Sequence, residues 1–518
     1  MEQVRKLPIG IQSFEILRTQ GYLYVDKTAM VYQLASSYIP YFLSRPRRFG
    51  KSLLTSTFKA YFEGRKDLFE DLAISELETK WEQYPVLLLD LNAETFDSIE
   101  SLKDILSRNL KIWENLYGVD EDRQSLSGRF EGVIRRAYEK TGKRVVVLID
   151  EYDKPMLSAI LDKELSNQFR ILLKAFFGVL KSSGQYLRFL FLTGVTKFAQ
   201  VSVFSDLNHL VDISVEDPFA TLCGITKSEM LQYFTPELKN LADKHKISFN
   251  EAVSTISQRY NGYHFTSNSE GVFNPFSVLN ALKFSNFREY WFQTGTPTYL
   301  VNLLKESDYD LRLLVDGIEV QPSDFVEYRM DINNPIPMIF QSGYLTIVGY
   351  DSKYNMYTLG FPNEEVRYGF MNFLMPYYTA VNNGTGSFHI AKFCKELEAG
   401  ETDDFMERLK IFFANIPYEL NNNNEKHYQA VFYVIFTLMG QYIDTEVRSA
   451  KGRADAVVKT KECIYVFEFK LNGTAEEAIR QIDDKGYLIP YQSDGRKLIK
   501  VGVELSKEER NIYRYLIN

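Results

Sequence analysis

Two groups of residues have the types and spacing to do chemistry. The first begins in "YFLSRPRRFGKSLL", residues 41–54. Gly50, Lys51 and Ser52 form the tail of a phosphate-binding loop, whose usual pattern is G-x-x-x-x-G-K-S/T. In such a loop backbone N–H groups and a helix N-terminus wrap the phosphates. The lysine reaches the terminal phosphates and the hydroxyl binds magnesium. The position of the first glycine holds Arg45 instead. Pro46 fixes its own φ and pushes Arg45 extended, so the entrance must have a different shape. Arg47 and Arg48 put positive charge beside the phosphates; they either stabilise a transferring phosphoryl group or are simply solvated. Phe49 and Leu53 flank the glycine and the hydroxyl and are counted as nucleotide contacts.

Further along, "VVVLIDEYD" is an apolar run ending in Asp150 and Glu151. An aspartate at a strand end can hold magnesium, and the next glutamate can polarise an attacking water. "FLFLTGVTKF" ends another run with Thr193, Thr196 and Lys197, where a polar group could sense the terminal phosphate. The plainer reading of these residues, polar ends of buried strands, also stands.

The second group lies in "GRADAVVKTKECIYVFEFKL", residues 452–471. Side chains alternate along a strand, so Glu468 and Lys470 share one face while Phe467 and Phe469 take the other. A hairpin would bring Asp455 beside Glu468. Two carboxylates repel unless a cation lies between them, and oxygen ligands favour Mg²⁺ or Mn²⁺. Such an ion would hold a phosphate oxygen and acidify its water, and Lys470 could place that water or stabilise developing charge. That is equipment for phosphodiester hydrolysis, although charges on a surface hairpin give the same pattern. Glu425 is either a further acidic group of this site or a helix-start carboxylate favoured by the macrodipole. Gln481, on the following helix, could orient the metal or the substrate.

These groups need elements to hold them. Apolar runs at 39–44, 84–92, 144–153 and 186–196 alternate with helical stretches. Continuous apolar strands separated by helices predict a parallel sheet covered on both faces, a doubly wound α/β domain. After about Ser214 the pattern turns helical, and Thr226 with Glu229 spells a capping box. The stretch from 341 to 374 predicts two strands around a turn and then a helix, compatible with a winged-helix-like unit. Turn residues cluster in "AVNNGTGSF", and the asparagine run 421–424 marks the boundary of a last domain. There the pattern predicts a helix over 425–442, strands near 443–448, 453–459 and 463–471, a helix near 474–487, and a strand at "KLIKVGVEL".

The 518 residues are too many for one ordinary core. With 45% hydrophobic and 14% aromatic residues the chain is a folded protein, not a disordered one. A formal charge of −8 excludes a polycation, so any nucleic acid must be met by local basic patches. Cys223, Cys394 and Cys463 are far apart and five histidines are scattered, which excludes a zinc cluster and suits a reducing cytoplasm. The N-terminus lacks the apolar core of a signal peptide, and the longest apolar run is too short for a bilayer, so no membrane role is expected.

The chain resembles the bacterial family with an AAA-ATPase-like N-terminal region and a C-terminal PD-(D/E)XK nuclease superfamily domain. The resemblance runs from "GIQSFEILRTQGYLYVDKT" through "SRPRRFGKSLL", "VLIDEYDKP" and "LTGVTKF". It continues in "YNGYHF", "FNPFSVLNAL", "SGYLTI" and "FPNEEVRYGF" and ends in "GRADAVV" and "FEFKL". The family itself carries "RPRRFGKS", so Arg45 is a family feature. The resemblance implies a P-loop NTPase core and a nuclease-like α/β domain; with the element pattern the expected division is that core over 1–215, a helical lid over 216–335, a winged-helix-like and helical region over 336–420 and the nuclease-like domain over 421–518. It implies ATP and Mg²⁺ at Lys51 and Ser52, with Asp150 in the Walker B role. It implies that Asp455, Glu468 and Lys470 match the D…(D/E)-x-K signature, with Gly452-Arg453-Ala454-Asp455 in place of Pro-Asp. DNA or RNA is then the expected partner, and a homo-oligomer is allowed. Two functions stay open: an ATP-binding, metal-dependent nuclease gated by nucleotide state, or a nucleotide-dependent switch whose nuclease fold only binds, in a defence or mobile-element setting.

Overall fold

The structure is a computed structural model. It describes residues 5–93, 95–160, 162–197, 210–292, 300, 304, 314, 317–325, 334–379, 383–416, 425–447, 454–506 and 508–518. The chain forms two compact units, Met1–Thr294 with Val320–Tyr357, and Gly295–Glu319 with Thr358–Asn518.

In the first unit the apolar runs become parallel strands: β1 (Tyr41–Ser44), β2 (Val86–Asp90), β3 (Val145–Asp150) and β4 (Leu187–Gly194). A fifth strand, β5 (Val211–Asp212), adds to β1, and the order is β2-β3-β4-β1-β5. No expectation included β5, because two residues carry no periodicity. All of β3 is buried, as a strand covered on both faces must be. Helix α1 (Lys51–Phe62) leaves the glycine loop and packs on β2, β3 and β4. The register sets Asp90 beside Asp150 and pairs Ile149 with Leu192, which brings Thr193 next to Asp150 at the carboxyl edge.

The helical part of this unit begins with α2 (Lys227–His245), followed by helices Phe249–Tyr260 and Pro275–Phe284. Thr226 caps α2: its hydroxyl accepts from the Glu229 N–H at 3.1 Å, and Glu229 accepts from the Thr226 N–H at 2.8 Å. Met230, Phe234, Leu238 and Ile256 anchor its core. Strand Thr346–Asp351 belongs to this unit, strand Met356–Gly360 crosses its boundary and helix Glu364–Thr379 belongs to the second unit; the three follow in the expected order.

In the second unit α3 (Glu425–Met439) precedes β6 (Asp444–Val447), β7 (Ala456–Lys459) and β8 (Cys463–Lys470). Helix α4 (Ala475–Asp484) and strands β9 (Lys497–Ser506) and β10 (Asn511–Ile517) complete it. The sheet runs β6-β7-β8-β9-β10; only the β8–β9 pair is parallel. The two faces of β8 meet different partners. Phe467 lies edge-on to Phe436 of α3 at 5.0 Å, and Phe469 stacks on Phe432 at 3.9 Å. Ile464 and Val466 pack with Ile479 and Ile482 of α4. The parallel step needs a crossover, and α4 is that crossover. The asparagine run 421–424 lies outside the described residues.

Cys223, Cys394 and Cys463 are buried and unpaired. Among the described residues no helix is long and apolar enough to cross a membrane.

Candidate nucleotide and phosphodiester sites

The loop between β1 and α1 turns on two left-handed residues, Arg48 (φ 69°) and Gly50 (φ 91°). A Cβ at Gly50 would meet nothing within 4 Å, so the backbone angle alone asks for glycine there. Arg45 does not reach the loop's hollow. It is 1% exposed, and its guanidinium donates to the carbonyls of Ser44 (2.9 Å), Ser214 (2.8 Å) and Phe219 (3.1 Å). It also lies 3.9 Å over the Phe265 ring. Burial lowers its pKa to about 10. Arg45 thus replaces a turn glycine with a clamp on the segment after β5.

The rest of the loop is gripped from the helical part. Phe49 lies edge-on to Tyr263 (4.8 Å) and Phe265 (5.5 Å). The Arg47 carbonyl accepts from Trp291 Nε1 (3.3 Å) and Asn274 Nδ2 (3.5 Å). Pro46 rests on Gly343, whose φ is 89° and where a Cβ would fall 2.5 Å from the proline ring. Arg48 is exposed, with its guanidinium 4.9 Å over Phe276.

Lys51 is 3% exposed; its ammonium donates to the carbonyls of Arg45 (3.1 Å) and Pro46 (3.3 Å) and lies 3.2 Å from Glu151. Glu151 itself has a left-handed backbone (φ 53°). Asp150 is buried, and its pKa is raised to about 7 by burial first and Glu151 next, opposed by a hydrogen bond with Ser52 and by Lys51. The Thr193 hydroxyl is fully buried and, among the described residues, has no hydrogen-bond partner. Lys197 turns away: its ammonium pairs with Asp212 at 2.6 Å and its N–H donates to Gln341 at 2.7 Å.

Asp153 is a residue the sequence reading missed. Fully buried, it accepts from the N–H groups of Val195 and Thr196 and from the Thr196 hydroxyl at 2.7 Å. Burial raises its pKa to about 6. With the Tyr152 hydroxyl donating to the Thr196 carbonyl at 2.8 Å, it stitches the end of β3 to the end of β4. The available signal was the second aspartate of "DEYD".

A cavity of about 360 Å³ opens on this loop. Gly50, Lys51, Ser52, Leu53 and Glu151 line one part of it, and Leu17, Val25, Ile225 and Leu279 line another. Among the described residues its charged lining is Arg47, Arg48, Lys51 and Lys154, with Lys27 already paired to Glu229, against the carboxylate Glu151. The volume is in the range of small-molecule sites, and the charge balance suits a polyphosphate carried on an apolar-seated body.

In the second unit Ala456 pairs with Phe467, so one step further along the hairpin Asp455 comes level with Glu468. Asp455 accepts from the Phe469 N–H at 2.9 Å. Glu468 is 3% exposed; its Oε1 accepts from Lys470 Nζ at 2.9 Å and from Gln481 Nε2. Its Oε2 is buried and, among the described residues, has no hydrogen-bond partner. Burial and then the Asp455 charge raise its pKa to about 7, with Lys470 opposing. Gln481 of α4 accepts from Lys470 at 2.6 Å and reaches Tyr487 Oη at 3.3 Å. So Asp455, Glu468, Lys470 and Gln481 converge, on the face opposite Phe467 and Phe469. Glu425 begins α3, and its side chain lies outside the described residues. An orphaned carboxylate oxygen beside a second carboxylate is a donor set that fits a hard divalent cation.

A family model described as predicted AAA-ATPase matches residues 8–204, and one described as PD-(D/E)XK nuclease superfamily matches residues 423–515. The chain is 35% identical over 533 residues to an uncharacterized protein encoded in the vnfD 5′ region of Azotobacter chroococcum mcd 1, covering 99% of each chain. Among solved structures, the ORC2 protein of Aeropyrum pernix in its ADPNP–ADP complexes is similar over 65% of this chain and 88% of its own, at 10% identity and a TM-score of 0.26. So slight a likeness has no bearing on the fold, which the strand order and the family matches establish. The chain belongs to the bacterial family that joins a predicted AAA-ATPase region to a C-terminal PD-(D/E)XK nuclease superfamily domain.

Proposed function

We propose that the protein binds and hydrolyses ATP in its first unit and cleaves phosphodiester bonds of DNA or RNA in its second, with nucleotide state gating cleavage. The observation that carries the nuclease half is Glu468: a buried carboxylate with one oxygen unpartnered, level with Asp455 and bonded to Lys470. Asp455 and Glu468 would hold Mg²⁺ or Mn²⁺. Bound there, the ion would polarise the phosphodiester and supply an acidified water. Lys470, positioned by Glu468 and Gln481, offers its ammonium to the charge that develops on the phosphate. In the first unit the loop amides, Lys51 and Ser52 would hold the ATP phosphates, with Asp150 beside Ser52 for magnesium. Arg47 and Arg48 add charge at the mouth, Glu151 stands to polarise the attacking water, and Thr193 offers a buried hydroxyl to the terminal phosphate. The four-part division at 215, 335 and 420, a cytoplasmic location and a homo-oligomeric state belong to the same proposal.

The test is cleavage of labelled DNA and RNA by the full chain with Mg²⁺ or Mn²⁺, with and without ATP. Cleavage should vanish in Asp455→Ala and Glu468→Ala, and its ATP dependence should vanish in Lys51→Ala. Cleavage unchanged in both carboxylate variants would sink the site. Binding without cleavage under every metal would leave a nucleotide-dependent binding module instead.

A further inference from the structure

The motif "VDKT", residues 25–28, gives Val25 and Lys27 to the lining of the nucleotide cavity, yet each of its polar side chains is committed elsewhere. Asp26 accepts from the Thr28 N–H (2.8 Å) and hydroxyl (2.7 Å), and its other oxygen accepts from the Ala73 N–H at 2.7 Å. The Thr28 hydroxyl accepts from the Ile74 N–H at 3.1 Å. These bonds fasten the segment to residues 73–74. Lys27 reaches elsewhere. Its ammonium donates to both oxygens of Glu229, at 2.6 and 2.7 Å, and its side chain is 9% exposed.

Lys27 lines the nucleotide cavity, and Glu229 sits in the first turn of α2, just after the lining residues 222–225. Tyr24, Val25 and Lys27 line the cavity from one chain segment; Leu222, Cys223, Gly224 and Ile225 line it from another, just before the Thr226 cap of α2. Glu229 is itself immobilised by that capping box. Two wall segments about 200 residues apart in sequence are therefore tied by one ion pair between two rigidly mounted ends. A pair so little exposed is weakly screened, and removing one partner leaves the other's charge uncompensated.

We propose that Lys27 and Glu229 are positioning residues of the nucleotide cavity: their ion pair holds the 24–25 and 222–225 walls together and sets how long a nucleotide stays bound. This rests on the nucleotide reading of the first unit. Neither residue touches the reacting phosphates in this role. The pair acts on escape, so its effect falls on the dissociation rate.

The experiment is stopped-flow displacement of a fluorescent ATP analogue from the full chain by excess ATP. Lys27→Met keeps the aliphatic stem and is expected to raise the dissociation rate about tenfold. The association rate should stay at the wild-type value; the nucleotide-free Tm should fall, because Glu229 is left uncompensated, so release is compared well below that Tm. Glu229→Gln keeps the capping box and should shift dissociation in the same direction by less. Lys27→Arg keeps the charge and should return the rate to near wild type. Unchanged dissociation in both Lys27→Met and Glu229→Gln overturns the strut and leaves nucleotide binding standing. Release that keeps the wild-type rate well below the Tm and quickens only as the Tm is approached overturns it too, since the pair would then be purely structural. If Lys27→Met does not fold, Glu229→Gln decides alone. Failure of the wild type to bind the analogue overturns the nucleotide reading and the strut together.

Discussion

Lys51 Nζ lies 3.2 Å from Glu151 Oε1 while donating to the carbonyls of Arg45 and Pro46, so the loop lysine and the strand-end glutamate hold each other. In the proposed nucleotide-bound state a terminal phosphate would offer Lys51 a full opposite charge in place of two neutral carbonyls. On that proposal, drawing Lys51 forward would free Glu151 to meet water.

The first prediction follows from that pair. Glu151→Gln leaves Lys51 its carbonyl partners and removes the base. ATP affinity should change by less than about threefold, while hydrolysis should fall by about 100-fold or more. Phosphate release at saturating ATP, beside a direct binding titration, checks both; a variant hydrolysing at the wild-type rate removes Glu151 from the chemistry.

Arg45→Gly restores the first glycine of the common loop pattern, and it should harm the protein. It strips three carbonyls of a charged donor and empties the space over Phe265. A loss of about 3 kcal/mol is expected, read by urea unfolding of the full chain. A variant as stable as the wild type would mean the clamp contributes nothing.

Gly343→Ala should distort the loop from the outside. Its φ of 89° disfavours any Cβ, and that atom would fall 2.5 Å from Pro46. The expected cost is about 2 kcal/mol, accompanied by weaker ATP binding. A calorimetric Tm with an ATP titration measures the two together, and an unchanged pair of values would refute the contact.

The second unit should respond to pH through Glu468. Its folded pKa is raised from 4.5 to about 7, so the folded state holds this proton more tightly than the unfolded chain. Its contribution is therefore most favourable below about 4.5 and is lost as pH rises through about 7. Glu468→Gln should flatten that decline, making the metal-free variant more stable than the wild type at pH 8 by about 1–2 kcal/mol and little different near pH 4. A divalent ion must displace the same proton, so Mg²⁺ affinity should fall by up to about tenfold for each pH unit below 7. Unfolding curves at both pH values and a Mg²⁺ titration at pH 6 and 8 read these effects.

The parallel strands were legible because a strand buried on both faces must be apolar throughout, and 145–150 is such a run. The hairpin site was legible from alternation: Glu468 and Lys470 on one face and Phe467 and Phe469 on the other is a statement about period two. β5 was not legible, because two residues next to an existing edge carry no pattern. The bonds of Asp153 were not legible either, since their donors come from the neighbouring strand end.

By itself, then, the sequence determined which residues of the two sites could be neighbours: Lys51 and Ser52 at a helix start, Asp150 and Glu151 at a strand end, and Glu468 and Lys470 on one strand face. These follow from local periodicity and chain direction. Only the tertiary structure decided what Arg45 does. Its partner carbonyls at Ser214 and Phe219 stand 169 and 174 residues away. Whether a charged side chain faces a phosphate or a carbonyl depends on which groups surround it once water is excluded, and for Arg45 those groups arrive only when the chain closes on itself.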